Sequence, residues 1–199
     1  MNILIVASRR SGGYTIANWI RKELAYGEKS ENNNVSGILY DLIIDPSTTF
    51  KKTDKEFYDL ENTIVLMHYD EYKDFVEENS FFPEERFDFT ICLKRKGFKE
   101  QAESILFNID KGILTRPYII PKEWLEENEV QINELAEQLE EEYSEMATVF
   151  GLHVTYESLF SGIFPEELWN LTSYLGLSTY HYWSIKPNFK FRRNNIALI

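Results

Sequence analysis

Short apolar runs alternate along the chain with longer segments of helical spacing. Asn2 to Ala7 is a nearly continuous apolar run, the pattern of a strand covered on both faces. A small-residue turn at Ser11, Gly12 and Gly13 follows. Ile16, Ile20 and Leu24 then recur every fourth position, which predicts an amphipathic helix. The polar stretch 28–34 reads as a loop, Val35 to Ile44 as a second strand, and Asp45, Pro46 and Ser47 as the turn that ends it. Asn62 to His68 and Phe87 to Leu93 supply the third and fourth strands, each leading into a segment with helical spacing.

In the helix after the fourth strand, Phe98, Ala102, Ile105, Leu106 and Ile109 outline a buried face, with Gly112 as C-cap. From Lys122 to about Phe150, the apolar positions Leu125, Ile132, Leu135, Leu139, Tyr143 and Met146 keep helical spacing. Glu126, Glu127, Glu134, Glu137, Glu140, Glu141 and Glu145 fill much of the remainder, so the pattern predicts one long helix with a solvated acidic face, closed by Gly151. Leu152 to Thr155 reads as a fifth strand, a helix opened by Pro165 runs to Leu175, and an aromatic, basic tail begins at Tyr180. Strands alternating with helices through short loops predict an α/β fold: a three-layer sandwich around a central parallel sheet. The 199 residues have room for one domain, 1–199, with a sizeable core.

Composition narrows the partners. The net charge of −12 opposes nonspecific binding to nucleic acid, which needs an extended basic surface. No run approaches the roughly 20 apolar residues of a membrane helix, and the amphipathic segments carry acidic outer faces, so no membrane partner is expected. Met1 leads straight into a strand-like run with no signal-peptide pattern, and Cys92 is the only cysteine, which together point to a reducing cytoplasm. Basic residues nonetheless cluster in three windows: Arg9 and Arg10; Lys94, Arg95, Lys96 and Lys99; and Lys186, Lys190, Arg192 and Arg193. Folding that joined these windows would give an acidic protein one local anion site.

Parallel sheets bind ligands beyond the carboxyl ends of their strands, which selects Ser8 to Tyr14, His68, and Arg95 with Lys96. Consecutive backbone N–H groups in the turn at Ser11, Gly12 and Gly13, together with the positive end of the helix after it, suit a phosphate, and Arg10 adds charge. Laid over the phosphate-loop pattern G-x-x-x-x-G-K-[ST], the segment has Ser8 in place of the first Gly and Tyr14 in place of the Lys, which disfavours ordinary ATPase or kinase chemistry. His153 and His181 have no partners at metal-ligand spacing, so no metal site is expected.

The stretch IVASRRSGGYTIANW, from Ile5 to Trp19, resembles the 5′-phosphosulfate loop of sulfotransferases, and FTICLKRKGFKEQAESILF, from Phe89 to Phe107, is similar to that family's 3′-phosphate segment. Val154 to Leu159 resembles the family's YE-x-L strand end, and Lys190 to Asn194 a late basic loop. The resemblance implies a P-loop nucleoside triphosphate hydrolase-like fold. It implies also transfer of a sulfuryl group from 3′-phosphoadenosine 5′-phosphosulfate, without a metal, to a hydroxyl or amine of a small-molecule or carbohydrate acceptor. Carried over by position, Arg9, Arg10, Ser11, Gly12, Gly13, Tyr14 and Thr15 would hold the 5′ end. Arg95 or Lys96, Ser104, and Arg192 or Arg193 would hold the 3′-phosphate.

His68, directly after a strand, is the candidate general base; imidazole titrates at about 6.5 when unperturbed, which suits the role. Asp70 and Glu71 are fallback bases. The register of the loop stays open, since alignment on Gly12 keeps Arg10 in the cationic position and alignment on Gly13 keeps Thr15. An atypical small-molecule or nucleotide kinase and a catalytically degenerate nucleotide-binding protein are the alternatives.

Overall fold

The computed structural model describes residues 1–27, 41–44, 60–79, 82–112, 119–160 and 166–177. Five strands, β1 (Ile3–Ala7), β2 (Asp41–Ile44), β3 (Thr63–His68), β4 (Phe89–Lys94) and β5 (Leu152–Thr155), form one sheet in the order β2-β3-β1-β4-β5. Every neighbouring pair is parallel, with Ala7 opposite His68 on one side and opposite Leu93 on the other. The helices are α1 (Gly13–Gly27), α2 (Tyr69–Asn79), α3 (Phe98–Lys111), α4 (Lys122–Glu127), α5 (Glu129–Glu145), α6 (Tyr156–Phe160) and α7 (Glu166–Tyr174). The expected α/β architecture with a central parallel sheet is therefore present.

All five residues of β1 are fully buried, because alternate side chains enter different cores. Ile3, Ile5 and Ala7 pack with Ile16, Ala17 and Ile20 of α1 and Leu171 of α7. Leu4 and Val6 pack on the other face with Tyr69, Tyr72 and Phe75 of α2 and with Met146. A third cluster, Ala102, Phe107, Trp124, Ile132 and Leu139, binds α3 to α4 and α5. Among the described residues, no helix is long and apolar enough to cross a membrane.

Three expectations are corrected. The long helix from Lys122 is two helices, broken at Asn128, whose φ of −109° and ψ of 13° are not helical. Its backbone and side-chain amides both donate to the Trp124 carbonyl, at 3.1 and 2.8 Å, and its own carbonyl takes the Ile132 N–H. The side-chain amide thus adds a second donor to that carbonyl at the end of the first helix. The second helix ends at Glu145, before a 3₁₀ turn at Met146–Thr148, so Gly151 does not close it. Its φ of 147° instead brings the chain against β4, where a Cβ would lie 2.5 Å from the Thr90 carbonyl oxygen.

The third correction is on α3. Ile109 is 75% exposed, and the buried residues of this helix are Gln101, Ala102, Phe107 and Asn108. The expected C-cap at Gly112 is there, left-handed with φ of 62°, its N–H on the Asn108 carbonyl. Of the second strand, only Asp41–Ile44 is described; the loop at 28–34, residues 35–40, the turn at 45–47 and the tail from Tyr180 lie outside the described residues.

The order of the strands sets the position of a site. From β1 the chain departs toward β2, beyond β3; from β4 it departs the opposite way, toward β5. Adjacent strands whose connections diverge open a crevice at their carboxyl ends. The segments flanking it are Ser8 to Gly12 and Arg95 to Gly97.

Candidate functional site

The segment after β1 turns sharply and then becomes α1. Ser8 is tied to β4 by its N–H on the Leu93 carbonyl (3.2 Å), and the Ser11 N–H returns to the Ser8 carbonyl (3.2 Å). Arg10 has φ of 60° and Gly12 φ of 87°. A left-handed conformation costs an L-residue such as Arg10 roughly 1–2 kcal/mol, so its surroundings hold it there. Thr15 and Ile16 both donate to the Gly12 carbonyl, at 2.9 and 3.1 Å, and the N–H groups of Gly13 and Tyr14, in the first turn of α1, have no acceptor among the described residues. The two glycines have different tasks. Gly12 supplies the positive φ, and Gly13 lets the helix start against the sheet, where a Cβ would lie 2.8 Å from Leu66 Cδ1 and 3.0 Å from Ala7 Cβ.

Across the crevice, four side-chain contacts join the β4–α3 unit to this segment. Gln101, 1% exposed, donates from Nε2 to Ser8 Oγ (3.1 Å) and to the Arg9 carbonyl. Arg95 donates from Nη1 to the Arg10 carbonyl (3.3 Å), and Arg10 Nε donates to Ser104 Oγ (3.1 Å). Arg10, Arg95 and Ser104, separate in sequence, thus share one site. The hydroxyl of Ser11, fully buried in the turn, has no hydrogen-bond partner among the described residues.

Charges around the crevice are organised by carboxylates. Asp70 takes both Nε (3.0 Å) and Nη2 (2.7 Å) of Arg9, which turns that side chain toward α2. Both partners are about half exposed, so the pair orients Arg9 and adds at most about 1 kcal/mol. Glu157 accepts from the backbone N–H groups of Lys96 (3.0 Å) and Gly97 (3.1 Å) and lies 3.7 Å from Arg95 Nε. The Arg95 guanidinium also covers the ring of Tyr156, 5.0 Å from its centroid. The second basic window is therefore no continuous patch. Lys94 is buried with its ammonium 4.7 Å from the Tyr143 ring centroid, burial lowers its pKa, and Lys96 and Lys99 face solvent.

His68 ends β3 beside Ala7, its Nδ1 3.4 Å from the Ala7 carbonyl oxygen. Its backbone N–H is bonded by Glu71 (3.0 Å), three residues on, the reach-back of a helix-capping carboxylate. The two fallback bases thus have structural tasks, Asp70 on Arg9 and Glu71 at the start of α2. Tyr14 is 57% exposed on α1, and Thr15 is half-buried. Arg192 and Arg193 lie outside the described residues. Among the described residues, no group of three or more His, Cys, Asp or Glu side chains is arranged to hold a metal ion.

Sequence reasoning missed Gln101 and Glu142, and it gave Glu157 only as part of the YE-x-L resemblance, without its backbone contacts. Gln101 stands one position before a core alanine with nothing local to mark it, and the capping by Glu157 needs β5 to be placed beside β4. Glu142, on the acidic helix, differs from its neighbours: burial, reinforced by the charge of Asp70 and opposed by Lys73 and Arg9, pushes its carboxyl up to about 7. No protein-family model matches the chain, and no curated protein matches it.

Proposed function

We propose that this protein is a sulfotransferase of the P-loop type, taking 3′-phosphoadenosine 5′-phosphosulfate as donor and a small hydroxyl or amine compound, a carbohydrate among the candidates, as acceptor. The observation that carries the reading is the direct wiring of the loop after β1 to Arg95 and Ser104, the two segments whose sequences resemble the 5′ and 3′ sites of that family. Two features fit an oxyanion-rich ligand: the open first turn of α1 and the buried, unpartnered hydroxyl of Ser11.

The chemistry follows from what sulfuryl transfer demands. Negative charge grows on the bridging and leaving oxygens, and preorganised N–H groups with a cation stabilise it without a metal. Gly12, Gly13 and Tyr14 supply the N–H groups and Arg10 the cation. The 3′-phosphate needs a separate cationic pocket, the role of Arg95 and Ser104 with Lys96 at its rim. His68 takes the acceptor proton. In the tautomer that donates from Nδ1 to the Ala7 carbonyl, Nε2 keeps its lone pair for that step.

Calorimetric titration with adenosine 3′,5′-bisphosphate, ADP and ATP-Mg²⁺ tests the reading. Micromolar binding of the bisphosphate, lost at least tenfold in Arg10→Ala and Ser104→Ala, supports it. Equal or better binding of ADP or ATP-Mg²⁺ would transfer the protein to the kinase reading. With donor and an acceptor panel, His68→Ala should lower turnover by about 10²–10⁴-fold while leaving bisphosphate affinity unchanged.

A further inference from the structure

We infer that Gln101 is a positioning residue for the nucleotide site: from α3 it holds the Ser8–Arg10 segment in its anion-binding shape without touching the ligand. The inference rests on the proposed function for the identity of the anion, and on hydrogen bonds for the rest. Gln101 is 1% exposed, and its Nε2 meets Ser8 Oγ at 3.1 Å and the Arg9 carbonyl. A primary amide nitrogen has two hydrogens, so both are given to the loop.

A trans peptide is planar, with its N–H directed opposite to its C=O. Fixing the Arg9 carbonyl toward Gln101 therefore fixes the Arg10 N–H away from α3. The next carbonyl, that of Arg10, is held by Arg95 at 3.3 Å, so two consecutive peptide planes are set by one neighbouring unit. Between those planes lies the Arg10 Cα with its φ of 60°, a conformation an arginine does not adopt unaided. Arg10 then reaches Ser104, one helical turn beyond Gln101 on the same helix. Loss of the amide donors releases the strained residue, and the 5′-phosphate end of the ligand loses its preformed N–H groups.

The test compares wild type, Gln101→Met and Ser8→Ala. Gln101→Met keeps the side-chain length and removes both donors. Binding of adenosine 5′-phosphate, adenosine 3′-phosphate and adenosine 3′,5′-bisphosphate is measured by calorimetry, and amide hydrogen exchange of residues 8–12 is measured without ligand. In Gln101→Met, affinity for the two 5′-phosphorylated ligands should fall about tenfold, affinity for the 3′-phosphate less than twofold, and exchange in the loop should accelerate. Ser8→Ala, which removes one of the two acceptors and leaves the core intact, should show the same selectivity at about threefold. The double variant should be no weaker than Gln101→Met, since the two share one hydrogen bond.

Equal losses for 5′- and 3′-phosphates would show a general structural role and overturn the inference, as would unchanged loop exchange. If wild type binds none of the three nucleotides, the proposed function falls, and exchange in residues 8–12 alone decides the role of Gln101. Should Gln101→Met not fold, the selectivity and exchange of Ser8→Ala decide it.

Discussion

Two strand-turn-helix units stand side by side at the carboxyl edge of the sheet, and their helix starts are finished in different ways. In the β4–α3 unit, the N–H groups of Lys96 and Gly97 are occupied by the Glu157 carboxylate, brought from α6. In the β1–α1 unit, the residue before the helix is Gly12, which has no side chain to fold back on the first turn, and no carboxylate is bonded there among the described residues. A helix start attracts anions through its unpaired N–H groups and its dipole. Of two adjacent starts, one has the N–H groups of Lys96 and of its N-cap Gly97 taken by the protein's own carboxylate, and the other, after a turn in which Arg10 and Gly12 are left-handed, has no carboxylate bonded among the described residues. Stability is gained at the first. At the second, the left-handed Arg10 costs local stability, and the proposed binding site rests on that geometry.

The comparison breaks most visibly where the open start needs its glycines. Gly13→Ala places a methyl within 3.0 Å of Leu66 and Ala7, both essentially buried, and overpacking of this kind costs about 1–3 kcal/mol. The thermal midpoint should fall by roughly 3–10 °C, read by circular dichroism. An unchanged midpoint would mean that α1 does not start against the sheet as described.

Removal of the closing anion is next in size. Glu157→Ala leaves the N–H groups of Lys96 and Gly97 and the largely buried Arg95 without their carboxylate, and should destabilise by about 1–2 kcal/mol in urea unfolding. Glu157→Gln, which retains an acceptor oxygen, should lose about half as much. Equal losses would assign the effect to packing rather than to charge on the helix start.

Glu142 sharpens the contrast in charge. Its carboxyl is pushed up to about 7, first by burial and then by Asp70 from α2, with Lys73 of α2 and Arg9 of the loop opposing and Glu145 of α5 adding to the rise. A carboxyl raised in the folded state binds more protons there than in the unfolded chain. Stability is therefore lost as pH rises from about 4.5 toward 7, and the loss is complete above that. Glu142→Gln should raise the midpoint at pH 8 by about 2–4 °C, with the gain vanishing near pH 4.5. No gain at pH 8 would place the carboxylate in solvent, and a gain independent of pH would assign it to packing rather than to charge.

The smallest effect tests whether β4 is as firmly packed as β1. Cys92 is buried in β4, and desolvation pushes its thiol up to about 12, so thiolate is scarce at neutral pH. Iodoacetamide should label it only on unfolding, read by mass spectrometry. Rapid labelling of the native protein would reveal opening of β4.

Much of this arrangement is legible in the chain itself. β1 announces itself as an apolar run and α1 by residues four apart, because strand and helix periods are local properties. The turn at Ser8–Thr15 and Arg95 with Lys96 stand out because an anion site needs small residues and cations at a strand end, whereas Ser104 enters only through the family resemblance. The break at Asn128 is not legible in the pattern: helical spacing continues through it, and only the hydrogen bonds show that its side chain ends one helix and its carbonyl begins the next. Ile109 shows the opposite case, matching the apolar face of α3 in spacing while the burial of that face shifts to Gln101 and Asn108.

Local pattern was enough to place the five strands and most of the helices, and to pick out small residues and cations suited to an anion. Tertiary structure alone decided which of them meet. Arg10 and Ser104 are 94 positions apart, and Lys96 and Glu157 are 61 apart. Their contacts exist only because β1, β4 and β5 lie next to one another in the sheet, an order that no local pattern encodes. The direction of each buried side chain was settled there too. Packing turned Lys94 under an aromatic ring and Gln101 onto a loop, since a buried polar group must find a partner among whatever the fold brings near.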